Sequence, residues 1–210
     1  ELKVWDECPY KHKLTYIDKI DGFQGNQYTA FGTALHDVCE SMLLDPKIED
    51  EAVKLFESNF FDQIKSLKDK DISFDKEMTR DMYTQGKDII PEIMPAVEDY
   101  FEEYEVFSTE EKIYEDIEDI EGDYKFKGYI DLVIKTSDNK YHIIDWKTCT
   151  WGWNAKKRAD PQITYQLTFY KHFFAIKHGI DPNMIETHFA LLKRTAKKNR
   201  VEIFRVTSGN

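Results

Sequence analysis

The sequence predicts an α/β protein, a central mixed β-sheet flanked by helices, with a mainly helical N-terminal half (residues 1–105) forming a wall or cap; three observations carry this. Apolar residues recur at spacings of three and four through the first half. After Ser108 the period shortens to two in several stretches, giving a β-rich portion over residues 106–207. A further helical stretch interrupts that portion before two last strands.

The helical spacing is clearest from Thr29 to Leu44, where Phe31, Leu35, Val38, Cys39 and Met42 share one face. Asp45-Pro46 ends it. A second helix is expected from Glu49 to Leu67 and a third from Lys76 to Tyr104, bent at Pro91 and Pro95, where the ladder lacks an amide hydrogen. Strands follow at Glu111 to Ile117, Tyr124 to Ile134 and Tyr141 to Trp146, the last two joined by a turn at Thr136 to Asn139. Pro161 starts the later helix and Gly179 closes it. The final strands are Ile185 to Leu192 and Val201 to Val206, linked by the basic turn Lys193 to Arg200.

With 210 residues the chain is expected to form a single domain, 1–210. Hydrophobic residues at 41% and charged residues at 33% are a globular balance, which argues against disorder. No apolar run is long enough for a membrane span, and the first residues lack signal-peptide order. Cys8, Cys39 and Cys149 are odd in number, widely spaced and without a CxxC pair, so neither a disulfide framework nor a zinc site is indicated. A net charge of -11 argues against nonspecific coating of nucleic acid; contact with a polyanion would have to be local, through basic loops and bound cations.

Two aspartates sit where strands are expected. Strand alternation puts Phe126, Gly128, Ile130, Leu132 and Ile134 on one face and Lys125, Lys127, Tyr129, Asp131, Val133 and Lys135 on the other. Tyr141, Ile143, Asp145 and Lys147 share a face of the next strand. A three-residue hairpin loop, Ser137 to Asn139, would bring Asp131 opposite Asp145, with Cβ atoms about 4.5 to 5.5 Å apart. Carboxylates that close repel, and a divalent cation relieves the conflict while leaving positions for water and phosphate. Lys147, on the same face, is then placed to orient a nucleophile or neutralise developing charge in phosphodiester hydrolysis. Spacing alone is equally consistent with a solvated strand face on which Lys147 pairs with one aspartate.

Four short motifs occur in order: Gly32-Thr-Ala-Leu-His36, Gly128-Tyr-Ile-Asp131, Asp145-Trp-Lys147 and Gln166-Leu-Thr-Phe-Tyr170. Together, over nearly the whole chain, they resemble the RecB-like exonuclease family of the PD-(D/E)XK superfamily, which includes CRISPR-associated adaptation nucleases and phage recombination exonucleases. The opening stretch from Trp5 to Tyr16, with Cys8-Pro9-Tyr10, is similar to the first helix of many members. The resemblance implies a restriction-endonuclease-like core. It also implies that His36, Asp131, Asp145 and the Trp146 carbonyl hold Mg²⁺ or Mn²⁺, that Asp131, Asp145 and Lys147 are catalytic, and that Gln166 and Tyr170 contact DNA. Without the motif, a lone helical histidine reads as structural, and Tyr170, among Phe169, Phe173 and Phe174, reads equally as core. Glu40 reads as an orienting or surface residue, and Glu111 is a candidate accessory acid. Relatives that bind an iron-sulfur cluster use four cysteines; with none after Cys149, no cluster is expected. The stretch begins inside what resembles an opening helix, so residues missing at either end are allowed for.

Trp151-Gly-Trp153-Asn-Ala-Lys156-Lys157-Arg158 combines aromatic planes with positive charge. It reads either as a DNA-contacting loop or as a solvated basic loop with one tryptophan tucked inward. A second basic group, Lys193 to Arg200, reads as hairpin solvation. The expected partner is single-stranded or end-containing duplex DNA, with a recombination or replication protein as a further candidate. The expected setting is the cytoplasm of a bacterial or phage-infected cell. Alternatives are a structure-specific endonuclease and a noncatalytic nucleic-acid-binding module of the same fold; the intact Asp131, Asp145 and Lys147 argue against the latter.

Overall fold

A computed structural model describes residues 1–20, 22–117 and 122–207. The expected opening helix is broken into α1 (Leu2–Glu7), α2 (Pro9–His12) and a π-helical turn, Lys13–Ile17. The break falls at Cys8, which is extended at φ -163° and ψ 101°. Pro9 is the reason, because its ring crowds the preceding residue out of the helical region.

Helix α3 (Gln27–Leu44) starts two residues before Thr29 because Asn26 caps it, its side chain accepting from the Tyr28 and Thr29 amides. Its buried face includes Phe31, Leu35, Val38, Cys39 and Met42, as the spacing predicts. Helices α4 (Ala52–Asp69) and α5 (Lys76–Ile89) pack beside it, with Phe31, Phe56 and Phe60 forming a ring cluster. The expected bend occurs at Pro91, inside a 3-10 turn, Ile90–Glu92, that leads into α6 (Ile93–Phe101). Pro95 falls in the first turn of α6, where no intrahelical donor is lost.

Five strands follow: β1 (Tyr104–Asp116), β2 (Lys125–Thr136), β3 (Tyr141–Cys149), β4 (Ile185–Lys193) and β5 (Val201–Val206). They form one sheet in sequence order, antiparallel except for the parallel pair β3–β4. Between those two run α7 (Ala155–Arg158) and α8 (Pro161–His178). Asp160 caps α8, Pro161 occupies its first turn, and Gly179 ends it at φ 63°. This is the expected mixed sheet with flanking helices, although β1 begins at Tyr104 rather than Glu111.

Both faces of the sheet are covered. Leu132, Ile134, Ile144, Trp146 and Leu192 join the core of the N-terminal helices, while Ile113, Ile130, Val133, Ile143, Phe189 and Leu191 pack with α8. Burial on two sides is why β3 and β4 are apolar on both faces.

The simple alternation expected for β2 does not hold. Ile130 packs toward α8 but Leu132 packs toward the N-terminal helices, so the pattern slips between them. The neighbouring strand slips at the same level. Thr109 reaches Glu40 on α3, Glu111 reaches Lys177 and His178 on α8, and Glu110 between them has φ 44°. That backbone state turns successive side chains away from strict alternation.

Gly86 of α5 lies against the Phe56 ring, and a Cβ built there would come within 2.2 Å of ring atoms. Gly86→Ala is therefore expected to destabilise the protein by about 1–3 kcal/mol despite alanine's higher helix propensity. Chemical denaturation measures this; an unchanged or raised midpoint would contradict the packing described.

Candidate active site

The hairpin between β2 and β3 meets the condition on which Asp131 faces Asp145, a three-residue loop, Ser137 to Asn139. The Thr136 amide donates to the Lys140 carbonyl, and Asn139 has φ 63°. The ladder then runs from Lys135 opposite Tyr141 to Leu132 opposite Ile144. The next rung is Asp131 and Asp145, where regular pairing stops. In continued register the Trp146 amide would bond the Ile130 carbonyl; it donates to Asp131 Oδ2 at 2.8 Å. A side chain thus takes over a ladder hydrogen bond, tying Asp131 to the backbone between Asp145 and Lys147.

His36 comes from α3, one turn after Gly32. Its Nδ1 lies 3.7 Å from Asp131 Oδ2, and its ring hydrogen-bonds the Trp146 backbone. Burial, then the charge of Lys147, lowers its pKa to about 4. The ring is therefore neutral near pH 7, the form in which a nitrogen lone pair can bind a metal.

Asp145 is buried at 1% exposure. Its Oδ1 accepts from Gln166 Nε2 at 2.9 Å, and the same amide donates to Tyr170 Oη at 2.9 Å. Its Oδ2 meets Lys147 Nζ as an ion pair, shielded from solvent and without a well-aligned hydrogen-bond donor. Burial raises the Asp145 pKa even though Lys147 opposes the shift. Asp131 is pushed up to about 8 by burial and then by Asp145, with Glu110 adding to the effect against Lys147 and the Trp146 amide. For Lys147, burial favours the neutral amine, but Asp145 and Asp131 outweigh it and the ammonium form is held more firmly.

Tyr170 reaches this site from α8 because β2 has no side chain at Gly128, where a Cβ would lie 2.7 Å from the tyrosine ring. Tyr170 is itself buried among Phe126 and the α8 core, so the core reading and the site reading both describe it. Gln166 accordingly meets Asp145, and Tyr170 meets Gln166.

Glu110 was not singled out by sequence, yet His36, Glu110 and Asp131 offer ligand atoms within 4.8 Å of one another. Glu111, the candidate accessory acid, faces α8 instead. Its carboxylate bonds Ser108, Lys177 and His178, and these contacts hold its pKa below the usual value against the opposing effect of burial. The positive φ at Glu110 transfers the accessory position by one residue. Glu40 accepts from Thr109, and its charge acts on Glu110.

The basic loop divides. Trp151 is exposed, while Trp153 is buried against Phe189 with Lys157 over its ring at 4.7 Å. Arg158 is engaged by Glu202 and the Trp153 carbonyl, whereas Lys156 and Lys157 are exposed at α7. In the second basic group, Arg194 bonds Gln85 and Thr150, and Arg200 pairs with Asp88 and Glu92.

A divalent cation fits the donor set where β2 and β3 part. Raised carboxyl pKa values, a neutral imidazole and the shielded Asp145 Oδ2 mark a site short of positive charge. His36, Glu110, Asp131, Asp145 and the Trp146 carbonyl could hold it.

The sequence model of the PD-(D/E)XK nuclease superfamily matches residues 1–204, and the chain belongs to that superfamily. No curated protein matches. Among solved structures, SSO0001 is similar at 16% identity and a TM-score of 0.35, covering 64% of this chain and 57% of that one. The chain thus spans little more than half of that protein, and a likeness of this size carries no argument about function.

The carboxyl shift has a measurable consequence. The Asp131 pKa is about 8 folded against a reference of 3.8, so between these values the folded state binds more protons than the unfolded one. Metal-free stability should therefore fall as pH rises through that window, with the penalty absent below it. Asp131→Asn should raise the metal-free melting temperature near pH 8, by about 2–4 °C per kcal/mol of relieved repulsion, and change it little near pH 4. Divalent metal should stabilise the wild type more near pH 8 than near pH 5. Thermal melts with chelator or Mg²⁺ across this range test both statements.

Proposed function

We propose that this chain is a divalent-metal-dependent deoxyribonuclease that hydrolyses phosphodiester bonds. We read it as a RecB-like exonuclease acting on single-stranded or end-containing duplex DNA in recombination, repair or phage genome processing, with residues 1–210 as one nuclease domain. Superfamily membership supports the reaction class. The observation that carries the reading is the meeting of His36, Asp131, Asp145 and Lys147 in one largely buried cluster, with two carboxylates facing one ammonium.

When bound, Mg²⁺ or Mn²⁺ supplies positive charge to the phosphate and makes a neighbouring water more acidic. The protein groups prepare the surroundings. Trp146 N–H holds Asp131, and Gln166 holds Asp145, so both carboxylates are oriented before substrate arrives. Lys147 stays an ammonium, which suits it to hold the attacking water and offset charge growing on the phosphate. Tyr170 fixes Gln166 and shields the Asp145 side of the site. Lys156, Lys157 and the exposed Trp151 would guide a strand by phosphate contact and base stacking. Arg158 would act beside them by holding the loop through Glu202. Among the described residues no helix is long and apolar enough to cross a membrane; we place the enzyme in the cytoplasm of a bacterial or phage-infected cell.

End-labelled single- and double-stranded DNA should be degraded with Mg²⁺ or Mn²⁺ and spared with chelator. Asp145→Ala and Lys147→Ala should each lower the rate by at least about 10²-fold. Chelator-resistant activity, or full activity in these variants, would reject the mechanism. A closed circle cut as fast as linear DNA would replace the exonuclease reading with an endonuclease one.

A further inference from the structure

A second set of metal-binding side chains lies on the sheet face covered by the N-terminal helices. His142 of β3 stands opposite Glu186 of β4, and His188 follows two residues later on the same face of β4. Ligand atoms of all three lie within 4.8 Å of one another. His142 is three residues before Asp145, about 10 Å along the strand at normal strand rise, and its side chain projects from the other face. Its ring packs against Phe101 of α6, as does that of His188.

The hydrogen bonding of the three residues is incomplete in a specific way. His142 Nε2 meets Thr136 Oγ1 at 3.0 Å, which leaves Nδ1 buried with no hydrogen-bond partner. His188 Nδ1 is likewise buried and without one, though the Ile143 backbone approaches the ring. The two residues are only 8% and 2% exposed. Buried ring nitrogens normally find a partner, so two such atoms in one cluster call for an explanation. Glu186 shows the same asymmetry. Its Oε1 is held by Lys140 at 3.2 Å and Arg205 at 3.3 Å, while Oε2 faces His142 Nδ1 at 4.0 Å, too far for a hydrogen bond.

The cluster opens on a cleft of about 600 Å³ whose lining includes Glu102, Glu103 and Asp138. With Glu186, these acids outnumber the facing Lys140 and Arg205, so the cleft attracts cations. Two imidazoles and one carboxylate suit a borderline ion such as Zn²⁺, whereas Mg²⁺ prefers an all-oxygen shell.

We propose that His142, Glu186 and His188 form a second metal site, selective for Zn²⁺ or a similar transition-metal ion, with its remaining coordination position open to the cleft. The ion would satisfy the inward-facing ring nitrogens and Glu186 Oε2 and would clamp β3 to β4. This site is independent of the nuclease reading, since none of its residues contributes to the carboxylate centre.

Zn²⁺ binding to the full chain, measured by equilibrium dialysis in excess Mg²⁺, should show one tight equivalent. Co²⁺ bound there should give the intense visible absorption of a tetrahedral site. Both signals should persist in Asp145→Asn. In His142→Asn, His188→Asn and Glu186→Gln, zinc affinity should fall at least about tenfold and the cobalt band should disappear. Absence of a tight equivalent in the wild type, or its survival in the histidine variants, would overturn the proposal. If His188→Asn does not fold, His142→Asn and the isosteric Glu186→Gln decide the same question.

Discussion

The carboxylates of Asp131 and Asp145 are held together where the β2–β3 ladder stops, largely out of water, with Lys147 as their facing cation. Much of the local structure serves to tolerate that repulsion. The Trp146 amide leaves its ladder position for Asp131, Gln166 spends an amide proton on Asp145, and Asp131 is driven toward its neutral form. Such an arrangement is costly as architecture. A cation in the same place relieves that cost, because the carboxylate charges that repel each other both attract the ion.

Helix α8 joins this electrostatic problem to the core. Phe173 and Phe174 bury it against the sheet, and that packing fixes where Gln166 and Tyr170 point. Gly128 completes the fit by leaving room for the tyrosine ring over β2. Four motifs far apart in sequence therefore meet through ordinary packing: α3 brings His36, β2 brings Asp131, β3 brings Asp145 and Lys147, and α8 brings Gln166 and Tyr170.

The two faces of the sheet pose different chemical problems. At the carboxylate end, oxygen donors and a neutral imidazole suit a hard divalent ion with room for phosphate. On the face beneath α6, two buried imidazoles stand beside one glutamate, and His142 Nδ1 faces Glu186 Oε2 at 4.0 Å without a hydrogen bond. Strand β3 carries members of both sets, His142 and Asp145, three residues apart, because side chains alternate sides while the backbone stays continuous.

Periodicity by itself determined the helical first half, four of the five strands nearly in full, the later part of β1 and the helix between β3 and β4, since each depends on neighbours close in sequence. The ordered motifs likewise marked His36, Asp131, Asp145, Lys147, Gln166 and Tyr170 before any contact was visible. Tertiary structure decided what depends on distant partners: the slip in alternation at Glu110 and Asp131, the exchange of Glu111 for Glu110, and the engagement of Arg158 by Glu202. It also brought His142 to Glu186 and His188, residues more than forty positions apart whose meeting depends on the parallel register of β3 and β4. Strand period fixes how side chains alternate only while the backbone is regular; a local change of φ and a long-range pairing are settled by the packing of the whole chain.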